Sequence, residues 1–246
     1  MYSLFAKYYD AFTENADYAA RADYLCALIE KYGIGKGILL DLACGTGSLS
    51  FEMEQRGFDV IGTDISAEML DEALEKKLQT GSNIMFLNQD MCEIDLYGTI
   101  TACICTLDSL NHLDSEQKVK AAFSKVSLFS EPGSVFIFDV NTAYKHREVL
   151  GENAFIYENE TCFLAWQNEV CEDTSVNIYL DFFEKQGDFY QRESEFIKEY
   201  YYSDTVLKKL LEQTGFELLQ IYDDLSFEAP GETSERKIFV AKRNNL

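Results

Sequence analysis

Residues 39–50 read LLDLACGTGSLS, a largely apolar run that passes into two closely spaced glycines and then into helix-forming residues. The apolar residues of Ile38–Leu42 predict a strand that is covered on both faces. Gly45 and Gly47 predict a sharp turn, because glycine lacks a Cβ and adopts positive φ without strain. Such a turn also lets a ligand come close to the backbone. The segment therefore predicts a strand, a turn and a helix, with a ligand site at the turn.

The chain downstream repeats this alternation of strand and helix. Apolar runs separated by stretches of helix-forming composition are typical of a parallel sheet whose strands are joined by crossover helices. We therefore predict an α/β fold with a mostly parallel sheet of seven strands and helices on both faces. The predicted strands are Ile38–Leu42, Val60–Gly62, Ile84–Leu87, Ile100–Thr106, Val135–Val140, Phe216–Tyr222 and Lys237–Lys242, and the predicted helices are Leu49–Arg56, Ala67–Leu78, Ser115–Phe129 and Ser203–Thr214.

Two parts of the chain depart from this alternation. The first 36 residues have apolar positions three and four apart, which predicts a helical N-terminal cap. In residues 151–202, apolar side chains alternate with polar or aromatic neighbours, as in half-exposed antiparallel strands. Turns at Glu172-Asp173 and Gly187-Asp188 predict a meander of three or four strands. The predicted domains are a cap (1–36), an α/β domain (37–150 and 203–246) and an inserted antiparallel β lid (151–202).

The composition restricts the classes of partner. The seven cysteines are irregularly spaced and form no C-x-x-C pair, which is typical of reduced thiols in the cytoplasm. With only two histidines, His112 and His146, we expect no metal site. The net charge of −22 would repel a polyanion, so we expect no nucleic acid partner. We find no apolar run long enough for a membrane span and no secretory signal, and we expect a cytoplasmic monomer or homodimer.

Two families of nucleotide-binding turn match the glycine-rich segment in part. A dinucleotide fingerprint, G-x-G-x-x-G, binds a diphosphate at a helix N-terminus. Here Ser50 replaces the third glycine, and the turn contains no basic residue. The segment instead reads Asp41-x-Ala43-x-Gly45-x-Gly47, which closely resembles the first motif of class I S-adenosylmethionine-dependent methyltransferases. The resemblance implies a Rossmann-like fold and S-adenosyl-L-methionine as the cofactor.

The same resemblance implies roles for the residues of the turn. The backbone from Ala43 and Cys44 through Gly45 to Gly47 would pass under the methionine part of the cofactor. Asp41 would orient the ammonium group of the cofactor, either directly or through water.

A second motif follows the second predicted strand. Asp64 lies 17 positions after Gly47, and an acidic residue near this spacing accepts hydrogen bonds from ribose hydroxyls. Ile65 beside it is a further predicted cofactor contact. Ser66 is a predicted N-cap of the next helix.

Further segments resemble methyltransferases less specifically. After the third strand, Asp90 would bind the adenine amino group and Met91 would pack on the ring. After the fourth strand, Leu107 would contact the cofactor. At the N-terminus, Tyr9 lies in a segment similar to one that closes over the cofactor in some family members. Phe138–Thr142 is similar to a segment of small bacterial methyltransferases related to the glycine and sarcosine enzymes. The candidate catalytic residues are Asp108, Asn111 and His112, each of which could instead cap a turn.

The predicted reaction is an in-line displacement that moves a methyl group to an unidentified small-molecule acceptor. His112 or Asp108 could act as a base, whereas His146 is predicted to lie at the surface. The β lid is predicted to select the substrate, with a dimer interface as the alternative. A protein or RNA substrate and a non-catalytic cofactor-binding module also stay open.

Overall fold

The computed structural model describes residues 3–13 and 16–244. The helices are α1 (Ser3–Phe12), α2 (Tyr18–Tyr32), α3 (Ser48–Gln55), α4 (Ala67–Thr80), α5 (Glu116–Phe129) and α6 (Asp204–Gln213). The strands are β1 (Ile38–Leu42), β2 (Asp59–Asp64), β3 (Met85–Asn88), β4 (Ile100–Cys105), β5 (Ser130–Asn141), β6 (Ala154–Glu158), β7 (Cys162–Val170), β8 (Val176–Gln186), β9 (Phe189–Glu199), β10 (Phe216–Asp223) and β11 (Arg236–Arg243).

Seven strands form one sheet in the order β10-β11-β5-β4-β1-β2-β3. The strands β1 to β5 run parallel, and β11 is antiparallel to both of its neighbours. In the central register, Leu40 pairs with Ile61 on one side and with Cys103 on the other. The predicted seven-stranded, mostly parallel Rossmann-like sheet is confirmed. The carboxyl ends of β1, β2 and β4 meet at one edge, where open α/β sheets bind ligands.

Apolar clusters cover both faces of this sheet. On one face, Phe123 of α5 contacts Phe136 and Phe138 of β5, and all three side chains are completely buried. On the other face, α2 packs with α3 against the sheet through residues such as Leu28. Large buried rings and aliphatic side chains on both faces explain why the strands are apolar on successive positions.

The four strands β6 to β9 form a separate antiparallel sheet, which confirms the predicted meander. Gly187 has φ 65° and forms the two-residue turn between β8 and β9 with Asp188. One face of this sheet packs against Leu4 and Tyr8 of α1. The two N-terminal helices therefore have different surroundings, since α1 covers the small sheet and α2 covers the large one. The domain boundaries as a whole stay a prediction.

One prediction made from the sequence is wrong, and it concerns His146 in the segment between β5 and β6. His146 was expected at the surface because charged residues flank it, but its side chain is completely buried. It lies on a π-helical turn, Lys145–Leu150, where the ring packs beneath the turn between β7 and β8. On the π-helical turn the side chain of His146 lies inside, whereas the guanidinium group of the exposed Arg147 donates a hydrogen bond to the hydroxyl of Thr174.

All seven cysteines are free thiols. Cys103 and Cys105 of β4 are completely buried in the same apolar cluster. Within residues 3–13 and 16–244, no helix is both long and apolar enough to cross a membrane.

Candidate active site

The glycine-rich turn lies between β1 and α3 and has a conformation that requires its glycines. Ala43, Gly45 and Gly47 have φ values of 60°, 55° and 75°. A Cβ on Gly47 would lie 2.9 Å from the ring of Phe86, so no side chain fits there. A Cβ on Gly45 would meet nothing within 4 Å, because the turn borders open space. At Gly45 the turn therefore exposes its backbone to a ligand. At Gly47 the missing side chain allows the turn to pack closely against Phe86.

Asp41 lies beneath this turn as a buried acid. Its side chain is 2% exposed, and the hydroxyl of Ser50 donates a hydrogen bond to Oδ2. Burial raises the pKa of Asp41 to about 7, and the neighbouring Asp64 adds to the effect. Among the described residues, Asp41 forms no salt bridge, yet it borders a small cavity together with Ala43 and Tyr9. A ligand ammonium group placed there would supply the missing positive charge, so this acid fits the amino-acid end of the predicted cofactor.

Asp64 ends β2 and fastens the turn to the sheet. Its Oδ2 accepts a hydrogen bond from the backbone N–H of Gly45, and its Oδ1 accepts one from Ser66, both at 2.8 Å. Burial raises the pKa of Asp64. A carboxylate oxygen can accept a second hydrogen bond, so these contacts leave capacity for ribose hydroxyls. Asp64 and the exposed Ile65 both line the cleft, and Ser66 caps α4 as predicted.

The two residues predicted to contact adenine differ in their position relative to the cleft. Met91 lines the cleft. Asp90 is half-buried and does not line it; its Oδ1 accepts a hydrogen bond from the backbone N–H of Cys92 at 2.8 Å. The role of Asp90 toward adenine stays a prediction.

Asp139, which sequence reasoning did not single out, holds the turn after β4. Its two oxygens accept hydrogen bonds from the backbone N–H groups of Leu107 (2.8 Å) and Asp108 (2.7 Å). Both residues have positive φ, 57° and 58°, which costs energy for residues with a Cβ. Arg236 donates to Asp139 and, at 2.8 Å, to Asp108. This completely buried acid and its arginine therefore set the position of the predicted catalytic turn.

The three candidate catalytic residues are placed differently. Asp108 and His112 line the cleft. Although burial opposes it, the cations Arg236 and Lys145 hold the pKa of Asp108 well below its usual range, which makes Asp108 a weak base. Asn111 is completely buried outside the cleft lining. Its Nδ2 donates to the carbonyl of Tyr200 at 2.7 Å, so the structure favours a positioning role.

The helix α1 forms the roof of the cleft. Tyr9 lines it beside the glycine-rich turn, and burial raises the pKa of this phenol. The next residue, Asp10, accepts hydrogen bonds from Thr46 (2.8 Å) and Ser48 (2.9 Å) and forms a salt bridge with Lys76. These contacts attach the roof directly to the turn.

The cleft has a volume of about 840 Å³. Its floor is the carboxyl edge of the large sheet, its roof is α1, and its far wall is one face of the β6–β9 sheet. Apolar side chains dominate this wall: Phe155, Tyr157, Leu164, Trp166, Ile178, Leu180 and Ile197.

Comparisons with known proteins identify the relatives of this chain. A family model described as a methyltransferase domain matches residues 39–133. YqeM of Bacillus subtilis (strain 168), which is provisionally named a methyltransferase, is 32% identical over 246 residues, or 99% of this chain and 98% of that protein. The glycine/sarcosine N-methyltransferase of Halorhodospira halochloris is 30% identical over 143 residues, or 54% of this chain and 53% of that protein.

A solved structure extends the match to the whole fold. The crystal structure of an S-adenosylmethionine-dependent methyltransferase from Clostridium acetobutylicum ATCC 824 superimposes with a TM-score of 0.89 at 31% identity and covers 99% of each chain. The glycine-rich turn over Asp41, the carboxylate of Asp64 and these relationships lead to one assignment. The chain belongs to the S-adenosylmethionine-dependent methyltransferases, and S-adenosyl-L-methionine is its cofactor.

Proposed function

We propose that the chain methylates a small molecule that binds in the cleft between the sheet edge and the β6–β9 lid. The observation that carries this proposal is the enclosure of the cleft by α1 and the lid, with a volume of about 840 Å³. Clefts of this size hold metabolite-sized ligands. The printed name of the Halorhodospira relative, a glycine/sarcosine N-methyltransferase, supports a small acceptor. The cytoplasmic location, the absence of a nucleic acid partner or a metal, and a monomeric or dimeric state stay predictions.

The residues of this chain would bind and orient the reactants. Asp41 and the backbone at Gly45 would hold the amino-acid end of the cofactor, and Asp64 would hold its ribose. When bound, the cofactor supplies a methyl group that is activated by a positive sulfur. Alignment of the acceptor and exclusion of water can then be worth ~7 kcal/mol or more, so no nucleophilic side chain is required. Tyr9 and the lid face would exclude the water.

A pair of aromatic substitutions tests the lid as the acceptor wall. Trp166 lines the cleft from β7, whereas Phe196 of β9 is 58% exposed and lies outside the cleft lining. Transfer of radiolabelled methyl groups would first be measured over a panel of metabolites. We expect Trp166→Ala to raise KM for any substrate found at least tenfold without changing cofactor affinity, and Phe196→Ala to change neither. Equal effects of the two variants would contradict the proposal, as would methylation of proteins or RNA but of no metabolite.

A further inference from the structure

One nitrogen of the buried His146 ring must carry a hydrogen. Its Nδ1 lies 2.7 Å from the carbonyl oxygen of Thr174. Because a carbonyl oxygen only accepts, Nδ1 carries a hydrogen. The other nitrogen, Nε2, is buried without a hydrogen bond of acceptable geometry and lies 3.3 Å from Oε2 of Glu199. A lone pair on Nε2 would repel the carboxylate oxygen that it faces, whereas a hydrogen on Nε2 would be attracted to that oxygen.

Glu199 connects this ring to the cleft. It is the last residue of β9 and is only 6% exposed, yet it lines the cleft. Its Oε2 faces His146 and accepts a hydrogen bond from Nδ2 of Asn141 at 2.7 Å. Its Oε1 has no hydrogen-bond partner among residues 3–13 and 16–244. One carboxylate oxygen is therefore fixed by the protein, and the other remains for a ligand.

The charges around Glu199 distinguish it from its acidic neighbour. Asp108 and His112 each have a side-chain atom within 4.8 Å of the Glu199 carboxylate. Asp108 is paired with Arg236 at 2.8 Å and lies 3.8 Å from Lys145. In the described part of the chain, by contrast, the only salt-bridge partner of Glu199 is His146. A ligand cation in the cleft is thus attracted to Glu199 more than to Asp108.

We propose that Glu199, positioned by His146, binds the protonated amine of the methyl acceptor and removes its proton. The aromatic rings of Tyr157 and Trp166, which line the cleft from the same sheet as Glu199, suit a cationic group on an apolar body. This inference rests on the proposed methylation of a small molecule and adds its chemical class.

The proton transfer is required because an ammonium group has no lone pair. One N–H bond of the acceptor breaks, and an O–H bond forms at Oε1 of Glu199, which leaves a neutral amine. The amine lone pair then forms an N–C bond while the C–S bond of the sulfonium breaks and its electron pair stays on sulfur. The methylated amine carries the positive charge. The proton on Glu199 leaves to water through His112, which is exposed at the cleft.

Ring ¹⁵N NMR on histidine-labelled protein tests the pair without a substrate. The chain has two histidines, so His112→Gln assigns both sets of signals. We expect hydrogens on both ring nitrogens of His146 in the wild type at pH 8, and on Nδ1 alone in Glu199→Gln. Glu193→Gln, on the same strand but outside the cleft lining, should match the wild type. A neutral His146 ring in the wild type would overturn the proposal, because Nε2 would then carry no hydrogen to hold the carboxylate of Glu199 in position.

Benzylamine and benzyl alcohol test the chemical class of the acceptor. Each would be added at millimolar concentration to protein loaded with S-adenosylhomocysteine, with binding followed by the histidine signals. We expect the amine alone to shift these signals, and we expect Glu199→Gln but not Glu193→Gln to remove the shift. Equal responses to amine and alcohol, or no response to the amine, would overturn the amine assignment. Affinity for S-adenosylhomocysteine in the same samples is a separate measurement, and only its absence would count against the methyltransferase function.

Discussion

Replacing Asp41 with asparagine isolates the effect of one buried carboxylate. The side chain is 2% exposed, and its pKa is raised to about 7, chiefly by burial. Below that pH, the folded wild type holds a neutral carboxyl group, whose shape and acceptor oxygen asparagine reproduces. Above it, the folded wild type without cofactor holds a buried charge with no salt-bridge partner among the described residues. The variant should therefore become relatively more stable as the pH rises.

The size of the effect follows from linkage. The ordinary pKa is 3.8 and the folded pKa is about 7. Because the folded pKa is raised, ionisation of Asp41 lowers wild-type stability progressively from pH 3.8 to about 7, and no further above that. Between pH 5.5 and pH 8.5, the loss from this group is about 2 kcal/mol. The free energy of unfolding of Asp41→Asn minus that of the wild type should rise by the same amount.

Urea unfolding at the two pH values measures this difference. Subtracting the wild type removes groups that both proteins share, including Asp64, whose pKa is also raised by burial. At pH 8.5, calorimetry should show S-adenosylmethionine binding at least tenfold more weakly to Asp41→Asn, since the neutral amide would lose the proposed ion pair with the ammonium group. A stability difference that is independent of pH, or unchanged affinity, would refute the assigned role of Asp41.

Three further substitutions probe the turn, the roof and the buried charges. Gly45→Ala should lower cofactor affinity at least tenfold in calorimetry, because its Cβ would enter the space proposed for the cofactor. Gly81→Ala, which has a similar positive φ but lies outside the cleft lining, should cost only about 1 kcal/mol of stability. Asp10→Asn should weaken cofactor binding about threefold to tenfold by loosening α1, with Asp71→Asn on the exposed face of α4 as the control. Arg236→Met should cost about 3 kcal/mol or more in urea unfolding, because Asp139 and Asp108 would keep only the more distant cations Arg21 (3.9 Å) and Lys145 (3.8 Å); a loss below about 1 kcal/mol would contradict this.

Several site residues could not be predicted from the sequence, and the reason is the same for each of them. Asp139 looks like one polar interruption in an apolar strand, and nothing nearby reveals that it holds the turn at Asp108. Arg236 is 128 positions from Asp108, so their ion pair depends on how β11 aligns beside β5. Glu199 ends an ordinary alternating strand, and only the docking of the lid places it at the cleft. The clustered Asp108, Asn111 and His112 were the local signal of this region.

The sequence by itself determined the strand–turn–helix unit at Gly45, the place of Asp64 at the end of the second strand, the seven-stranded sheet and the separate antiparallel sheet. These features depend on hydrophobic period and on turn chemistry, which act over a few neighbouring residues. The tertiary structure alone decided that His146 is buried against Glu199, that α1 is fastened to the turn through Asp10, and that Asn111 is withdrawn from the cleft. Each of these contacts joins elements far apart in the chain, and local patterns carry no information about which distant side chain will complete a buried hydrogen bond.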